Sequence, residues 1–413
     1  MTLPILTSNA GIFAFLWEQE QLAIRVDRLS EDSHGVLTGE ILIKTGMPGE
    51  QKHVHHTRIN LTSGETRTRL AKTLTERVNH IDWYSILEQA CIMTLAKHRE
   101  GEPVSDLGNE PDYEAIRYRC SPLLFDSEPT LIYGPGGTGK SYLGLYLACL
   151  IQYKFAGIYD WVPTAGNVLV LDWETSKPIY NRRTWAIKQG LGITDNTERI
   201  KYRYCTQPLP TDIAEIQKLV LENKINCVIV DSCGYAAGGD PNAAEVAIRY
   251  FNALRSLRVT TLTLDHVSKG LDGGKSPFGS VYKSNAARSV FQLKKSQDAG
   301  ECVYDLGLYH EKVNEGMPLK PIGYKAAFTN NQDGVAIKVV FSASKVSDNP
   351  ELAKGLSLPD RIYNFLLDNG KAQVKDIATA LEAEENTVKT RLNENKKRFV
   401  HMADGWGVLS YEK

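Results

Sequence analysis

Short apolar runs separated by polar turns open the chain. Ile12 to Trp17, Leu22 to Val26 and Leu37 to Ile43 follow the two-residue alternation of strands. Beyond the helix-start signal Thr62-Ser63-Gly64-Glu65 the period lengthens: Leu70, Leu74 and Val78 mark one helix, and Ile81, Leu87, Ile92 and Leu95 a second. These elements predict a small α+β module over residues 1–110. The polar, turn-rich stretch from Gly101-Glu102-Pro103 to Asn109-Glu110-Pro111 is the linker expected to end it.

Over residues 112–345 β-branched runs alternate with helical segments, the pattern of an α/β domain built on a mostly parallel sheet. Strands are expected at Thr130–Tyr133, Val168–Leu171, Cys227–Val230 and Thr261–Leu264. Each is followed by glycine or a polar residue, and ligands of such sheets sit beyond the carboxyl ends of the strands. Runs at Tyr304–His310, Ile322–Phe328 and Ala336–Phe341 are expected to extend the sheet as hairpins, before a second linker at Ser342–Ser357. Residues 358–413 then read as three short helices and a two-stranded wing at Val400–Leu409, a winged helix-turn-helix.

At 413 residues the chain is long enough for two or three domains, and a net charge of −1 confines any nucleic-acid contact to local patches. Its seven cysteines are scattered without a Cys-x-x-Cys, as in a reducing compartment. There is no signal-like start and no apolar run near the ~20 residues of a membrane span. A cytoplasmic protein is expected.

The sharpest chemical signal is Gly-Pro-Gly-Gly-Thr-Gly-Lys-Ser at 134–141, placed between a strand and a helix. Glycines let backbone N–H groups wrap phosphate oxygens, Lys140 neutralises them, and Ser141 offers an oxygen to Mg²⁺. The expected nucleotide contacts are Gly134, Pro135, Gly136, Gly137, Thr138, Gly139, Lys140, Ser141 and Tyr142, with ATP and Mg²⁺ as ligands. Leu143, Leu147 and Ile151 are expected to form the buried face of the following helix. Asp231 closes a strand where a second metal-holding group belongs, but Ser232 follows it instead of a glutamate. Glu174, in Leu-Asp-Trp-Glu at 171–174, is the candidate general base, since separate carboxylates can divide metal binding from water activation. His266, after Leu264-Asp265, is the candidate γ-phosphate sensor. The segment from Lys269 to Lys283, with Lys275 between, is a candidate DNA-gripping loop.

Together with Val-Ile-Val-Asp-Ser (228–232), Asp-His-Val-Ser-Lys-Gly (265–270) and the run from Gly279 to Val290, these motifs resemble the RepA-like branch of RecA-type ATPases. That group includes hexameric plasmid helicases and ATPases of phages and mobile elements. The resemblance spans roughly 115–345. It implies a RecA-like P-loop core, a water-activating glutamate on the strand beside the Asp231 strand, a ring, and a basic finger donated in trans. Arg288 matches the finger, and Lys312 is a second candidate whose structural reading is slightly favoured. Neither end of the chain has a counterpart in the minimal helicase of that group. His53, His55 and His56 in the first module lack an evident metal partner, so a protein partner or an oligomer contact is the expected use of residues 1–110. In the tail, Lys389, Arg391, Lys396, Lys397 and Arg398 suit either a helix dipole or phosphate contact.

Two functions stay open: a ring-forming DNA helicase or translocase, hexameric by resemblance, and an ATP-switched DNA-binding regulator or loader without unwinding. An ATPase effector that senses a protein partner is a third. A P-loop small-molecule kinase fits poorly because its mechanism gives His266 and Arg288 no role.

Overall fold

The computed structural model describes residues 3–9, 11–32, 34–46, 52–101, 104, 106, 116–194, 198–267, 276, 277, 279 and 281–409. They form two compact units, Met1–Glu114 with Thr211–Leu221, and Ala115–Pro210 with Glu222–Lys413.

In the first unit five strands, Ile5–Asn9, Ile12–Trp17, Leu22–Glu31, Leu37–Thr45 and Lys52–Asn60, pair antiparallel in chain order. Alternation buries Phe13, Phe15, Trp17, Ile24, Val26, Ile41 and Ile43 on one face, which packs with helices Gly64–Thr75 and Trp83–Glu100. Ser63 caps the first helix by accepting from Thr66 N, as its position in the sequence predicts. The second helix differs from expectation. Asp82 is its cap, so the apolar stripe is Trp83, Ile86, Leu87, Ala90 and Cys91, and Ile92 is exposed. His53 is exposed, His55 meets Arg77, and His56 meets Glu40. Among the described residues no group of three or more His, Cys, Asp or Glu is placed to hold a metal.

The second unit is built on a nine-stranded sheet. Its order is Lys201–Tyr204, Asn167–Asp172, Ile225–Asp231, Thr260–His266, Pro129–Gly134, Ser289–Ser296, Val303–Val313, Ile322–Asn330 and Ala336–Ser344. The first six are parallel, and the last three continue as antiparallel hairpins. The central strands are apolar on both faces because both faces are covered. Leu262 and Leu264 pack with helix Lys140–Tyr153. Thr263, pointing the opposite way, meets the Tyr250 hydroxyl of helix Ala244–Ser256 at 2.9 Å.

Helix Lys140–Tyr153 is buried on more than the single face expected from Leu143, Leu147 and Ile151. The antiparallel flank curls over it, setting Phe328 edge-on to Tyr142 at 5.0 Å and Phe341 against Tyr146 at 4.1 Å. A small sheet of Tyr118–Ser121, Leu124–Phe125 and Val162–Pro163 brings Cys120 and Leu124 into the same core. The segment expected as the second linker is also docked: Val346 and Leu352 pack on Tyr309, whose hydroxyl bonds to the Leu352 carbonyl.

Helices Leu358–Asn369, Val374–Ala380 and Glu385–Glu394 enclose their own core of Ile362, Leu366, Ile377, Val388 and Leu392. The hairpin Phe399–Met402 with Gly405–Val408 closes it through Phe399 and Trp406. None of the seven cysteines forms a disulfide and six are buried, where desolvation pushes the thiols of Cys91, Cys120, Cys149 and Cys227 up to about 12. Among the described residues no helix is long and apolar enough to cross a membrane.

One close approach fixes a functional helix. Helix Lys177–Leu191 crosses the edge strand Ala336–Ser344 so closely that a Cβ on Gly190 would lie 1.7 Å from the Val339 carbonyl oxygen. Helix propensity alone would favour alanine there by about 1 kcal/mol. Overpacking against backbone costs about 1–3 kcal/mol or more and wins. Gly190→Ala is therefore expected to lower the midpoint of urea unfolding, and an unchanged or raised midpoint would contradict this packing.

Candidate nucleotide site

The loop after strand Pro129–Gly134 is shaped by glycine. A Cβ at Gly134 would lie 2.4 Å from the Leu293 carbonyl oxygen, and Gly137 and Gly139 have φ of +72° and +86°. Gly139 caps helix Lys140–Tyr153 with no side-chain acceptor, so the helix N-terminus faces the loop through its own N–H groups. Thr138 Oγ1 donates to the Pro135 carbonyl at 2.8 Å, and Lys140 Nζ donates to the carbonyls of Gly134 and Pro135, both at 2.9 Å. Burial lowers the Lys140 pKa from its usual value, against the attraction of Asp231 and Glu174.

Parallel register carries the remaining groups to the same edge. Asp172 pairs with Asp231 across adjacent strands, and His266 pairs with Gly134. Asp172 organises the turn that follows it. Its carboxylate accepts from Glu174 N at 2.9 Å, Thr175 N at 3.1 Å, Thr175 Oγ1 at 3.0 Å and the Tyr202 hydroxyl at 2.8 Å. That turn presents Glu174, whose Oε1 meets His266 Nε2 at 3.2 Å and accepts from the Ser232 hydroxyl. The bond with His266 leads in holding the Glu174 carboxyl below its ordinary range, with burial opposing and Ser232 assisting.

Asp231 is buried, and its Oδ2 accepts from Ser141 Oγ at 2.6 Å and from the Tyr180 hydroxyl. Burial raises its pKa, while those two bonds favour the charged form. Ser141 and Asp231 are hard oxygen donors in contact, a set that fits Mg²⁺ shared with phosphate better than a protein-only metal cage. With the ion bound, the charge of phosphate oxygens would be offset there.

The cavity enclosed by these groups is about 260 Å³, lined by Gly137 to Tyr142, Glu174, Thr175, Asp231 and His266. Arg183 and Tyr304 complete the wall and are not evident from the motifs. The Arg183 guanidinium lies over the Tyr142 ring at 5.2 Å, and Tyr304 approaches Gly139 from the antiparallel flank. A basic pair at Arg182-Arg183, two turns past Glu174, was the one available signal. The sequence offered none for Tyr304.

Other candidates lie elsewhere. Lys283, expected on a DNA-facing loop, is buried and bonds Asp265 Oδ2 at 2.9 Å, with side-chain exposures of 2% and 0%. This corrects the expectation: Asp265 at a buried strand end requires a counter-charge, and Lys283 supplies it. Lys269 and Lys275 lie outside the described residues. Lys312, whose structural reading is a salt bridge, instead donates to the carbonyls of Ser284, Asn285 and Ala287, closing the end of the short helix Tyr282–Ala286. Arg288 is half-exposed at the start of strand Ser289–Ser296, beside Glu128 at 3.4 Å. Because Ser289 pairs with Thr130, Arg288 stands at the opposite end of the sheet from the phosphate loop. In the tail, Arg391 pairs with Glu394, and Arg398 pairs with Asp360 and stacks on Tyr363. Lys397 is exposed. Lys389 and Lys396 instead line an open groove of about 610 Å³ with Gln373, Asn393, His401 and Trp406.

Two outcomes follow from this geometry. His266→Ala removes the main stabiliser of the Glu174 carboxylate, so the acid limb of the pH–rate profile should move to higher pH. A limb that stays in place would separate His266 from Glu174 titration. Lys283→Met leaves Asp265 buried without its partner and should cost about 3–5 kcal/mol of unfolding free energy, measured by denaturant unfolding.

Residues 95–272 match a family model described as an AAA domain, and no curated protein matches the chain. The matched span holds the phosphate loop, Glu174, Asp231 and His266, and ends before Arg288. With the geometry above, it supports assignment of this region to a P-loop ATPase family with nucleotide-dependent ATPase activity.

Proposed function

We propose that this protein is an ATP-driven DNA motor, a Mg²⁺-dependent ATPase of RecA-like type that works in the cytoplasm as a ring, as a hexamer by resemblance. By the same resemblance it serves a plasmid, phage or other mobile element. Lys140 and the loop amides bind the phosphates, Ser141 and Asp231 hold the ion, Glu174 activates water, and His266 links that glutamate to strand Thr260–His266. The observation that carries the reading is the place of Arg288. Its strand register puts it level with Pro129, about five residues or ~17 Å along the strand from the loop of its own chain. It is thus available to a neighbour's γ-phosphate, where charge stabilisation would arrive only on assembly.

A DNA-bound regulator or loader is the second reading, favoured by the groove carrying Lys389 and Lys396. There the three helices and hairpin would act as a winged helix on duplex DNA, with the first unit docking a protein partner.

The deciding measurement is ATP turnover with and without single-stranded DNA, alongside mass determination in ATP and ADP. A motor is stimulated by the strand and assembles with ATP; turnover indifferent to DNA would sink the proposal. Glu174→Gln should reduce turnover by about 10²–10⁴-fold, and Arg288→Ala by about 10³-fold or more, each with nucleotide binding retained. A regulator instead loses tight duplex binding when residues 359–413 are deleted and shows no strand separation.

A further inference from the structure

One side chain that no motif carries reaches the candidate metal-holding carboxylate from behind. Tyr180 lies in the first turn of helix Lys177–Leu191, is 4% exposed, and gives its hydroxyl proton to Asp231 Oδ2. A buried tyrosine hydroxyl needs an acceptor, and in most cores a backbone carbonyl would serve. Here the acceptor is the carboxylate already bonded to Ser141 Oγ at 2.6 Å.

Both hydroxyls take the same oxygen. Asp231 and Ser141 both line the phosphate cavity. Two donors on Oδ2 fix the plane of the carboxylate, because rotation about its Cβ–Cγ bond would break both bonds. The neighbouring strand repeats the device: Asp172, in register with Asp231, accepts the Tyr202 hydroxyl at 2.8 Å, and the rings of Tyr180 and Tyr202 lie 5.4 Å apart. Two buried carboxylates thus face one edge, each turned by its own tyrosine.

We propose that Tyr180 is a positioning residue for the metal-holding carboxylate, orienting Asp231 toward the cation that accompanies the nucleotide phosphates. The inference rests on the reading of Ser141 and Asp231 as the Mg²⁺ site, and goes beyond it by assigning the group that aims one of them. Groups that orient ligands from behind set metal affinity by about 10–100-fold when removed. Tyr180→Phe retains the ring and its packing against Tyr202, and removes only the hydroxyl.

The test uses the full-length chain and a fluorescent N-methylanthraniloyl ATP, titrated in EDTA and again at graded free Mg²⁺. In EDTA the variant should bind the nucleotide as the wild type does, since loop amides and Lys140 are untouched. The Mg²⁺ concentration for half-maximal tightening should rise about ten-fold or more. An unchanged Mg²⁺ midpoint would overturn the proposal. So would a matching loss of affinity in EDTA, which would mean that Tyr180 supports the whole loop rather than the carboxylate. If the wild type binds nucleotide without any response to Mg²⁺, the metal reading of Ser141 and Asp231 fails first, and this inference with it.

Discussion

Parallel strand register is the constraint on which the rest of the site depends. Strands that run the same way end at the same edge, so residues far apart in sequence become neighbours without any side chain having to find another. Asp172 stands opposite Asp231, and His266 opposite Gly134, at the inter-strand spacing of about 4.8 Å. A slip of one residue in any of these strands would turn its terminal carboxylate or imidazole to the other face. Burial of the intervening apolar residues on both faces holds the register and therefore the chemistry.

Much of this was legible because the relevant signals are local. A glycine loop followed by Lys-Ser is written in eight consecutive residues, and strands Asn167–Asp172, Ile225–Asp231 and Thr260–His266 each end on a polar residue at the edge of the cavity. The five strands and two helices of the first unit were legible in part, through alternation and the Ser63 cap. What was not legible depends on packing at long range. Lys283 looks like a solvated loop lysine until Asp265, 18 residues earlier, is seen to be buried. Tyr180 and Tyr202 look like ordinary amphipathic residues. Strand Ser289–Ser296 was missed because the same run carries the Arg288 motif, and its apolar part, Val290 to Leu293, is short.

The antiparallel flank shows how a second layer changes the meaning of a pattern. The stripe Leu143, Leu147 and Ile151 predicts one buried face, which would suffice for a helix lying on a sheet with water beyond. Strands Ile322–Asn330 and Ala336–Ser344 replace that water with Phe328 and Phe341, and the sister strand brings Tyr304 to the loop. The flank lies outside the span matched by the AAA-domain family model, yet it contributes a wall of the nucleotide cavity.

The bonds from Lys140 to the Gly134 and Pro135 carbonyls have a further consequence. A loop whose lysine and threonine already bond its own carbonyls is preorganised, so it need not lose conformational freedom when an anion arrives. What the lysine gains from phosphate is then an exchange of acceptors, two neutral carbonyls for charged oxygens. The discrimination this yields is electrostatic: it rewards the charge of the incoming group, while the shape of the cradle stays the same.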